Sequence, residues 1–337
     1  MKLNFITGRF SGPVGTAGGA LALLAAVACG LLAAGSPARA TDLQQLIEQV
    51  GADYGEAYAS PFIHAFGPNQ NANLFSTASI PYSGLTFGIG IKVMGTHLNE
   101  ADQTFRKVVQ IDDLGIYDPT NPAWQGVSGT AVMSGPTIFG DTENPGRIDV
   151  ITPSGIVSFE GIPGFWDTRW VPLATPEAYI GGVAGLKFTL RYFPSVKLGD
   201  FEKTSYLGYG LQWSANGVLK ELPIDVMAGF FLTSLDVENT QGKGQDKLFD
   251  SQANSYFLAV SKSWPILTVY GGFALEDSEM KVAYYSTDFD SPVNFTVKGR
   301  QESRFTLGLT LDTLMDLNLE AGFGDMSTYS AGLMFGF

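Results

Sequence analysis

Two hydrophobic periods divide the chain. Over residues 41–66, Leu43, Leu46, Ile47, Val50, Tyr54, Ala57 and Tyr58 recur at steps of three and four. That spacing puts them on one face of an amphipathic helix. Thr41 and Gln44 have capping-box spacing at its start, and Pro61 is expected to end or kink it. Residues 67–79 begin Gly-Pro-Asn-Gln-Asn-Ala-Asn and read as loop. From residue 80 onward the period is two. Leu85, Phe87, Ile89, Ile91 and Val93 alternate with Thr86, Gly88, Gly90 and Lys92. The same alternation runs through Leu186–Tyr192, Leu207–Trp213, Phe305–Leu311 and Leu317–Phe323. Each run predicts a strand with one apolar face and one face of glycine, hydroxyl and charge.

Alternation alone suits a soluble sandwich as well as a membrane barrel. Strand length and the carboxyl end favour the barrel. The runs have the length that crosses a bilayer at a tilt, and Tyr82, Tyr192, Trp213, Trp264 and Tyr329 sit near strand ends, as interfacial girdles require. The last residues alternate Tyr329, Ala331, Leu333, Phe335 and Phe337, and the sequence closes on that aromatic. Tyr329, Phe335 and Phe337 are the candidate assembly signal, because this ending resembles the terminal strand signal of bacterial outer-membrane barrels. Strands are expected near 82–96, 103–112, 127–140, 148–160, 178–193, 203–216, 223–236, 252–263, 265–275, 279–287, 293–299, 303–311, 316–323 and 327–337. The expected fold is therefore all-β, a closed antiparallel transmembrane barrel of about 14 strands. It falls to 12 if residues 113–177 form a loop or plug. An N-terminal helical plug precedes it. Trp264-Pro265 and Asp312–Asp316 are tight connections on the side of the carboxyl terminus, and the polar stretch from Glu238 lies on the other.

The amino end changes the charge balance. Lys2 and Arg9 precede an uncharged Ala- and Leu-rich run, and Ala38 and Ala40 frame an A-x-A site. These are the parts of a secretory signal peptide. The expected division is signal peptide 1–40, helix and loop hatch 41–79, and barrel 80–337. Lys2, Arg9 and Arg39 are three of the 20 basic residues and no acid lies before residue 41, so residues 41–337 carry 17 basic and 33 acidic residues, a net of −16. The single cysteine, Cys29, also falls in the signal. Disulfides and thiolate chemistry are therefore not expected in the exported chain. Nucleic acid is not an expected partner, since phosphate contact needs a basic face. Charged residues make up only 16%, glycine numbers 41, and no apolar run after residue 40 reaches membrane-helix length. A chain of this kind spans a membrane only as a closed barrel.

Helix, Asn-rich loop and about 14 strands together resemble, in layout, the long-chain fatty-acid transporter barrels, whose amino-terminal hatch plugs the lumen. Pro136-Thr137-Ile138-Phe139-Gly140, Gly208-Tyr209-Gly210-Leu211 followed by Pro223-Ile224-Asp225, and Arg304 with Gly308 are similar to an uncharacterised family of exported bacterial proteins. That resemblance implies no activity.

Candidate chemistry is sparse. His64 and His97 are the only histidines, no Cys/His cluster exists, and no metal or cofactor is expected. His97 near Glu100 and Asp102 is the one arrangement that a hydrolase could use; a solvated loop is the plainer expectation. Acidic groups around Asp236–Asp250 and Glu276–Asp290 lack the order of a calcium loop. The lumen face is more informative. It places Lys92, Lys187, Arg191, Asp225, Arg304 and Glu320 inside, either as a selectivity ring or as mutual salt bridges. Inward glycines at 88, 90, 208, 210, 308 and 322 suit an occupied lumen. The hatch face is Leu46, Ile47, Val50 and Tyr54. The expected function is non-enzymatic, passive passage of small hydrophobic or amphipathic molecules through the outer membrane. Its expected partners are outer-membrane lipid, lipopolysaccharide, the barrel-assembly machinery and the cargo. The alternatives are a non-transporting structural or surface-binding barrel, an outer-membrane hydrolase and a secreted soluble β-protein.

Overall fold

The fold was analysed in a computed structural model, which describes residues 40–114, 122, 125–152, 155–166, 168–197, 203–219, 222–238, 247–286 and 291–336. Among the described residues a helix, α1 (Ala40–Gln70), comes first. Fifteen strands follow: β1 (Thr86–His97), β2 (Thr104–Ile111), β3 (Gly129–Pro136), β4 (Arg147–Thr152), β5 (Gly155–Glu160), β6 (Trp170–Val183), β7 (Leu186–Lys197), β8 (Lys203–Ser214), β9 (Asp225–Glu238), β10 (Lys247–Trp264), β11 (Leu267–Ser286), β12 (Ser291–Lys298), β13 (Ser303–Leu311), β14 (Asp316–Phe323) and β15 (Ser327–Gly336).

Ten of these close an antiparallel up-and-down barrel, in the order β1, β6, β7, β8, β9, β10, β11, β13, β14, β15 and back to β1. The expected 14 strands, and the alternative of 12, are corrected by three findings. First, β2–β5 form a separate four-stranded sheet. Their alternation is real, but one face packs under α1 rather than against lipid, burying Val109, Ile111, Ala131, Met133, Ile148 and Val150 with Tyr54 and Tyr58. Second, residues 265–287 are one long strand. The first half of β11 pairs with β13, and its second half rises beyond the barrel to pair with β12. Third, the run 178–193 is a hairpin of β6 and β7, turning at Ala184-Gly185, where both residues have positive φ. A period of two cannot report which sheet a strand joins.

The outward face of the barrel is apolar and exposed: Leu85 just before β1, Phe87, Ile89, Ile91 and Val93 on β1, Phe188 on β7, Leu211 on β8, Leu258 on β10, Leu307 on β13 and Leu319 on β14. From Leu85 to Val93, a rise of about 3.3 Å per residue and a tilt of about 40° give a belt roughly 20–25 Å tall, the height of a hydrocarbon core crossed by a barrel. Trp170 and Tyr329 stack edge-to-face at one end, ring centroids 5.7 Å apart, and Trp213 and Trp264 lie at the other. None of the described helices is long and apolar enough to cross a membrane.

The helix runs further than its sequence suggests. It passes through Pro61 and ends at Gln70, so part of the expected loop is helical. Proline removes one intrahelical donor. Ser60 Oγ donates to Glu56 O at 2.5 Å on that stretch.

Candidate functional site

The residues after α1 thread the barrel from one end to the other. The wall marks each step. Arg304 Nη2 donates to Pro68 O at 2.6 Å, and Asn69 Nδ2 to Val171 O at 2.5 Å, near the end where β1 finishes. Ser251 Oγ donates to Gln70 Oε1 at 2.8 Å, and Asn71 Nδ2 to Asn254 O at 3.1 Å. Arg191 Nη1 donates to Ala72 O at 2.9 Å, and its Nη2 donates to Asn73 O. Gln212 Nε2 reaches Leu74 O at 2.8 Å, Thr310 Oγ1 reaches Ser76 O at 2.8 Å, and Ala78 N donates to Ser261 Oγ at 2.9 Å. Tyr82 OH finally donates to Ser214 O at 2.7 Å, at the end where β1 begins. The lumen is thus occupied by an irregular strand of chain and not by the helix, which lies at the mouth. A helix with side chains is about 10–12 Å wide. Eight strands enclose little more than their own inward side chains, and ten leave space for one extended chain.

A charge cluster grips the middle of this plug. Arg191 Nε donates to Glu177 Oε2 at 2.8 Å, and Lys92 Nζ stands 3.9 Å from Glu177 Oε1. Lys92 Nζ also donates to Asn73 Oδ1 at 2.8 Å, while Asn73 N donates to Glu320 Oε1 at 2.8 Å. Asn73 Nδ2 completes the set on Ser330 Oγ at 3.0 Å. One asparagine is therefore held by β1, β7, β14 and β15 together. A second pair, Arg304 Nη2 to Glu276 Oε2 at 3.0 Å, sits beside Pro68. Lys92, Arg191 and Arg304 face Glu177, Glu276 and Glu320, all buried, so like numbers of each sign balance within the lumen. Buried charges persist only when paired and hydrogen-bonded in this way.

Of the six sequence-predicted lumen residues, Lys92, Arg191, Arg304 and Glu320 converge on the plug. Lys187 lies nearer the β1-start end, 5.4 Å from the centroid of the Tyr179 ring. Asp225 is at that end too and accepts from Asn216 Nδ2 at 2.5 Å. Leu46, Ile47 and Val50 have side chains outside the described set. Tyr54 is buried, but against the four-stranded sheet: its ring meets Phe105 edge-on at 5.1 Å and its OH accepts from Ile162 N at 3.0 Å. Tyr329 and Phe335 are exposed on the outer face of β15, and Phe337 lies outside the described residues. Glu177 and Asn73 carry no signal in the sequence that places them in the lumen, and Glu276, expected in an acidic loop, lies instead within β11, which runs unbroken through residues 267–286. Asn73 was read as loop, although the amide run Asn69-Gln70-Asn71 and Asn73 is suited to hydrogen-bonding a polar wall.

The inward glycines make room for large lumen side chains. A Cβ on Gly272 would stand 2.6 Å from the Phe75 ring of the plug, and one on Gly332 would meet the Lys92 side chain at 2.6 Å. Several lumen polar atoms, among them Arg304 Nε, Glu276 Oε1, Gln212 Oε1 and Asn71 Oδ1, are buried without a protein partner. Such groups call for bridging water. Towards the β1-start end a cavity of about 160 Å³ opens alongside the last part of the plug, lined by Leu74, Ile80 and Met334 beside Lys187, Asp312 and Asp316.

At the opposite end α1 and the small sheet form one cap. Lys107 Nζ reaches Glu56 Oε2 at 2.6 Å and Asp53 Oδ1 at 2.7 Å. Burial opposes the Lys107 charge, but the hydrogen bonds it donates to Asp53 and Glu56 outweigh it and raise its pKa above the ordinary lysine value. Half-buried His64 is shifted the other way, first by burial and then by the Arg300 guanidinium. The hydrolase arrangement does not assemble. The His97 ring packs on Trp170 at 5.0 Å, Glu100 pairs with Arg169 at 3.1 Å, and Asp102 pairs with Arg300 at 3.2 Å. Among the described residues, no three metal-ligating side chains converge.

Residues 20–337 match the model of a family of unknown function, DUF6588. The chain belongs to that family. DUF6588 membership brings a fold-wide relationship and no activity. No functionally curated protein matches this DUF6588 chain in sequence. Among solved structures it is similar to the trimer form of OmpT, an outer membrane protein of Vibrio cholerae, at 11% identity over 76% of this chain and 100% of that one, TM-score 0.24. It is also similar to Pseudomonas putida OprB, at 9% identity over 75% and 94%, TM-score 0.20. An anion-selective porin from Comamonas acidovorans matches at 11% identity over 75% and 99%, TM-score 0.21.

Proposed function

We propose that the chain is a gated outer-membrane conduit for small amphipathic molecules, with residues 68–80 as its displaceable plug, and that it catalyses no reaction. The observation that carries this reading is the chemistry of the plug–wall interface. Around Asn69–Asn73 it is made of amides, hydroxyls and balanced charges, and further along Leu74, Phe75, Ala78 and Ile80 pack on Met227, Phe231, Phe257 and Tyr270, so the wall offers a polar stretch beside an apolar one once the plug moves. The cavity alongside the plug sets aliphatic side chains beside Lys187, Asp312 and Asp316, which suits a molecule with one apolar and one charged part. Outer-membrane lipid and lipopolysaccharide would cover the apolar belt, and the assembly machinery would receive the last strand.

Planar-bilayer recording tests it. The doubly loosened variant Arg191→Ala/Arg304→Ala is expected to conduct at least several-fold more than the parent. Asn73→Cys/Ser330→Cys, in a mature chain that otherwise lacks cysteine, is expected to be silent when oxidised and to recover on reduction. Silence of the parent and of the loosened variant alike, with both still folded by heat-modifiable migration, would sink the conduit and favour a non-transporting barrel.

A further inference from the structure

The direction in which the plug runs has a consequence for where the amino-terminal segment lies. At the end of the barrel where β1 begins, the hairpin turns are short: Ala184-Gly185, Pro265-Ile266 and Asp312–Met315, with the Ala215–Ile224 connection the longest. The strand that carries the carboxyl end, β15, also finishes there, since Gly336 pairs with Gly88. At the opposite end β1 leads into the long excursion Leu98–Arg169, which holds β2–β5, and β11 continues past the barrel to pair with β12, with the three-residue β14–β15 turn, Gly324–Met326, the short connection there. Single-chain barrels of the outer membrane keep short turns on the periplasmic side and long connections outside. The end with Gly336 is therefore periplasmic and the end with β2–β5 is external.

The helix is on the external end. Its Pro68 and Asn69 are held by Arg304 and Val171, near the strand ends where β13 and β6 begin. Strand β10 shows the descent of the chain by itself: Ser251 bonds Gln70, Asn254 bonds Asn71, and Ser261, seven residues further towards the short-turn end, bonds Ala78. The plug thus runs from outside to inside, and β1 then returns outward. A hatch that simply filled the barrel from the periplasm would run the other way.

We infer that α1 and the β2–β5 sheet form one module displayed on the cell surface, with the amino-terminal segment carried out through the lumen and tethered there by residues 68–80. The module has its own core, shared between Tyr54, Tyr58 and the sheet, and its own ties, Lys107 to Glu56 and Tyr58 OH to Pro163 O at 3.1 Å. It is therefore a folded unit in its own right, with β5 as its exposed edge strand. Display does not depend on whether the lumen conducts, and the plug's upper end is accessible only from the outer side.

Site-specific labelling of the full chain in the outer membrane of intact cells tests this. Cys29 is the only cysteine, so single-cysteine variants made in a Cys29→Ser background give clean signals. Ser158→Cys on β5 and an epitope inserted between Thr41 and Asp42 are expected to react with a membrane-impermeant maleimide and with antibody, respectively, before any permeabilisation. Leu314→Cys, in the exposed β13–β14 turn, is expected to react at least tenfold more after the outer membrane is opened. Heat-modifiable migration verifies that each variant is folded. Labelling of Leu314→Cys but not Ser158→Cys in intact cells overturns the orientation. An epitope reached only after permeabilisation, with Ser158→Cys labelled outside, overturns the threading. Ser158→Cys reached only after permeabilisation overturns the display.

Discussion

Arg191 shows how much a single side chain can hold. It is fully buried on β7, pairs with Glu177 on β6, and donates to two consecutive carbonyls of the plug. Removing it leaves Glu177 with Lys92 at 3.9 Å as its remaining ion-pair partner. Breaking a buried pair by deleting one side costs about 3–5 kcal/mol, because a desolvated charge is left uncompensated. Arg191→Ala is therefore expected to lower the temperature of the heat-modifiable gel shift clearly, and Arg191→Ala/Glu177→Ala to lower it less than the single change. Equal effects would mean that the pair contributes nothing beyond packing. Gly272 is a steric counterpart. A side chain there meets the Phe75 ring of the plug and the backbone of β10, so Gly272→Val is expected to raise conductance by dislodging Phe75. Single-channel recording distinguishes that outcome from simple misfolding, which would abolish insertion. Of these residues, Arg191 and Lys92 could be read from alternation as inward-facing. Their shared partner, Asn73, could not, because nothing in a loop's composition names the wall that it touches.

At the scale of elements, the strands and the helix respond to different variables. On the strands, outward positions are expected to reject charge and inward positions to accept polar changes. Ile89→Arg, at the middle of the belt, should destabilise the barrel by about 2–4 kcal/mol, measured by urea unfolding in lipid, whereas Thr306→Ser on the lumen face of β13 should change it little. On α1, His64 provides a pH response. Burial and Arg300 lower its folded pKa below the ordinary value near 6.5, so the folded cap prefers the neutral ring. The unfolded segment then binds more protons in the window below about 6.5, and cap stability falls as pH falls through it. The protection factors of the α1 amides, with the base-catalysed intrinsic rate divided out, should fall between pH 7.5 and pH 5.5, and His64→Gln should flatten that change. Asp102, the Lys298 backbone and Glu56 favour the charged ring and oppose the shift. The helix itself was evident from its 3.6-residue period and the strands from their period of two. Pro61 misplaced the helix end, since a proline's lost donor was outweighed by the packing of Ile63, Ala65 and Phe66 in the core beneath.

Across the whole molecule, three bodies share one chain: an apolar-belted barrel, a threaded plug and a cap at the end where β1 finishes. The barrel closes because β1 and β15 pair along their length, from Gly88 with Gly336 to His97 with Ser327. Closure removes the open edges that lipid cannot satisfy. The plug meets the wall through neutral hydrogen bonds of about 1 kcal/mol each and charged ones of about 1.5–3 kcal/mol, the latter concentrated on Asn73 and its neighbours. Loosening two of its anchors should therefore raise conductance without unfolding the barrel.

Alternation by itself determined that residues 80–337 are β-rich with one apolar face, that large apolar residues alternate with glycine and polar ones, and that a helix precedes them. Those properties follow from local periodicity, which each segment carries within itself. Which strands join the barrel, how many there are, and which chain fills the lumen were decided only by the tertiary structure. Strand pairing is a choice among distant partners that present the same period, and ten strands were selected because β2–β5 found another apolar surface under α1. The charges were likewise visible as inward-facing, but their balance depended on Glu177, Glu276 and Asn73 arriving from segments that the pattern had read as loop or break.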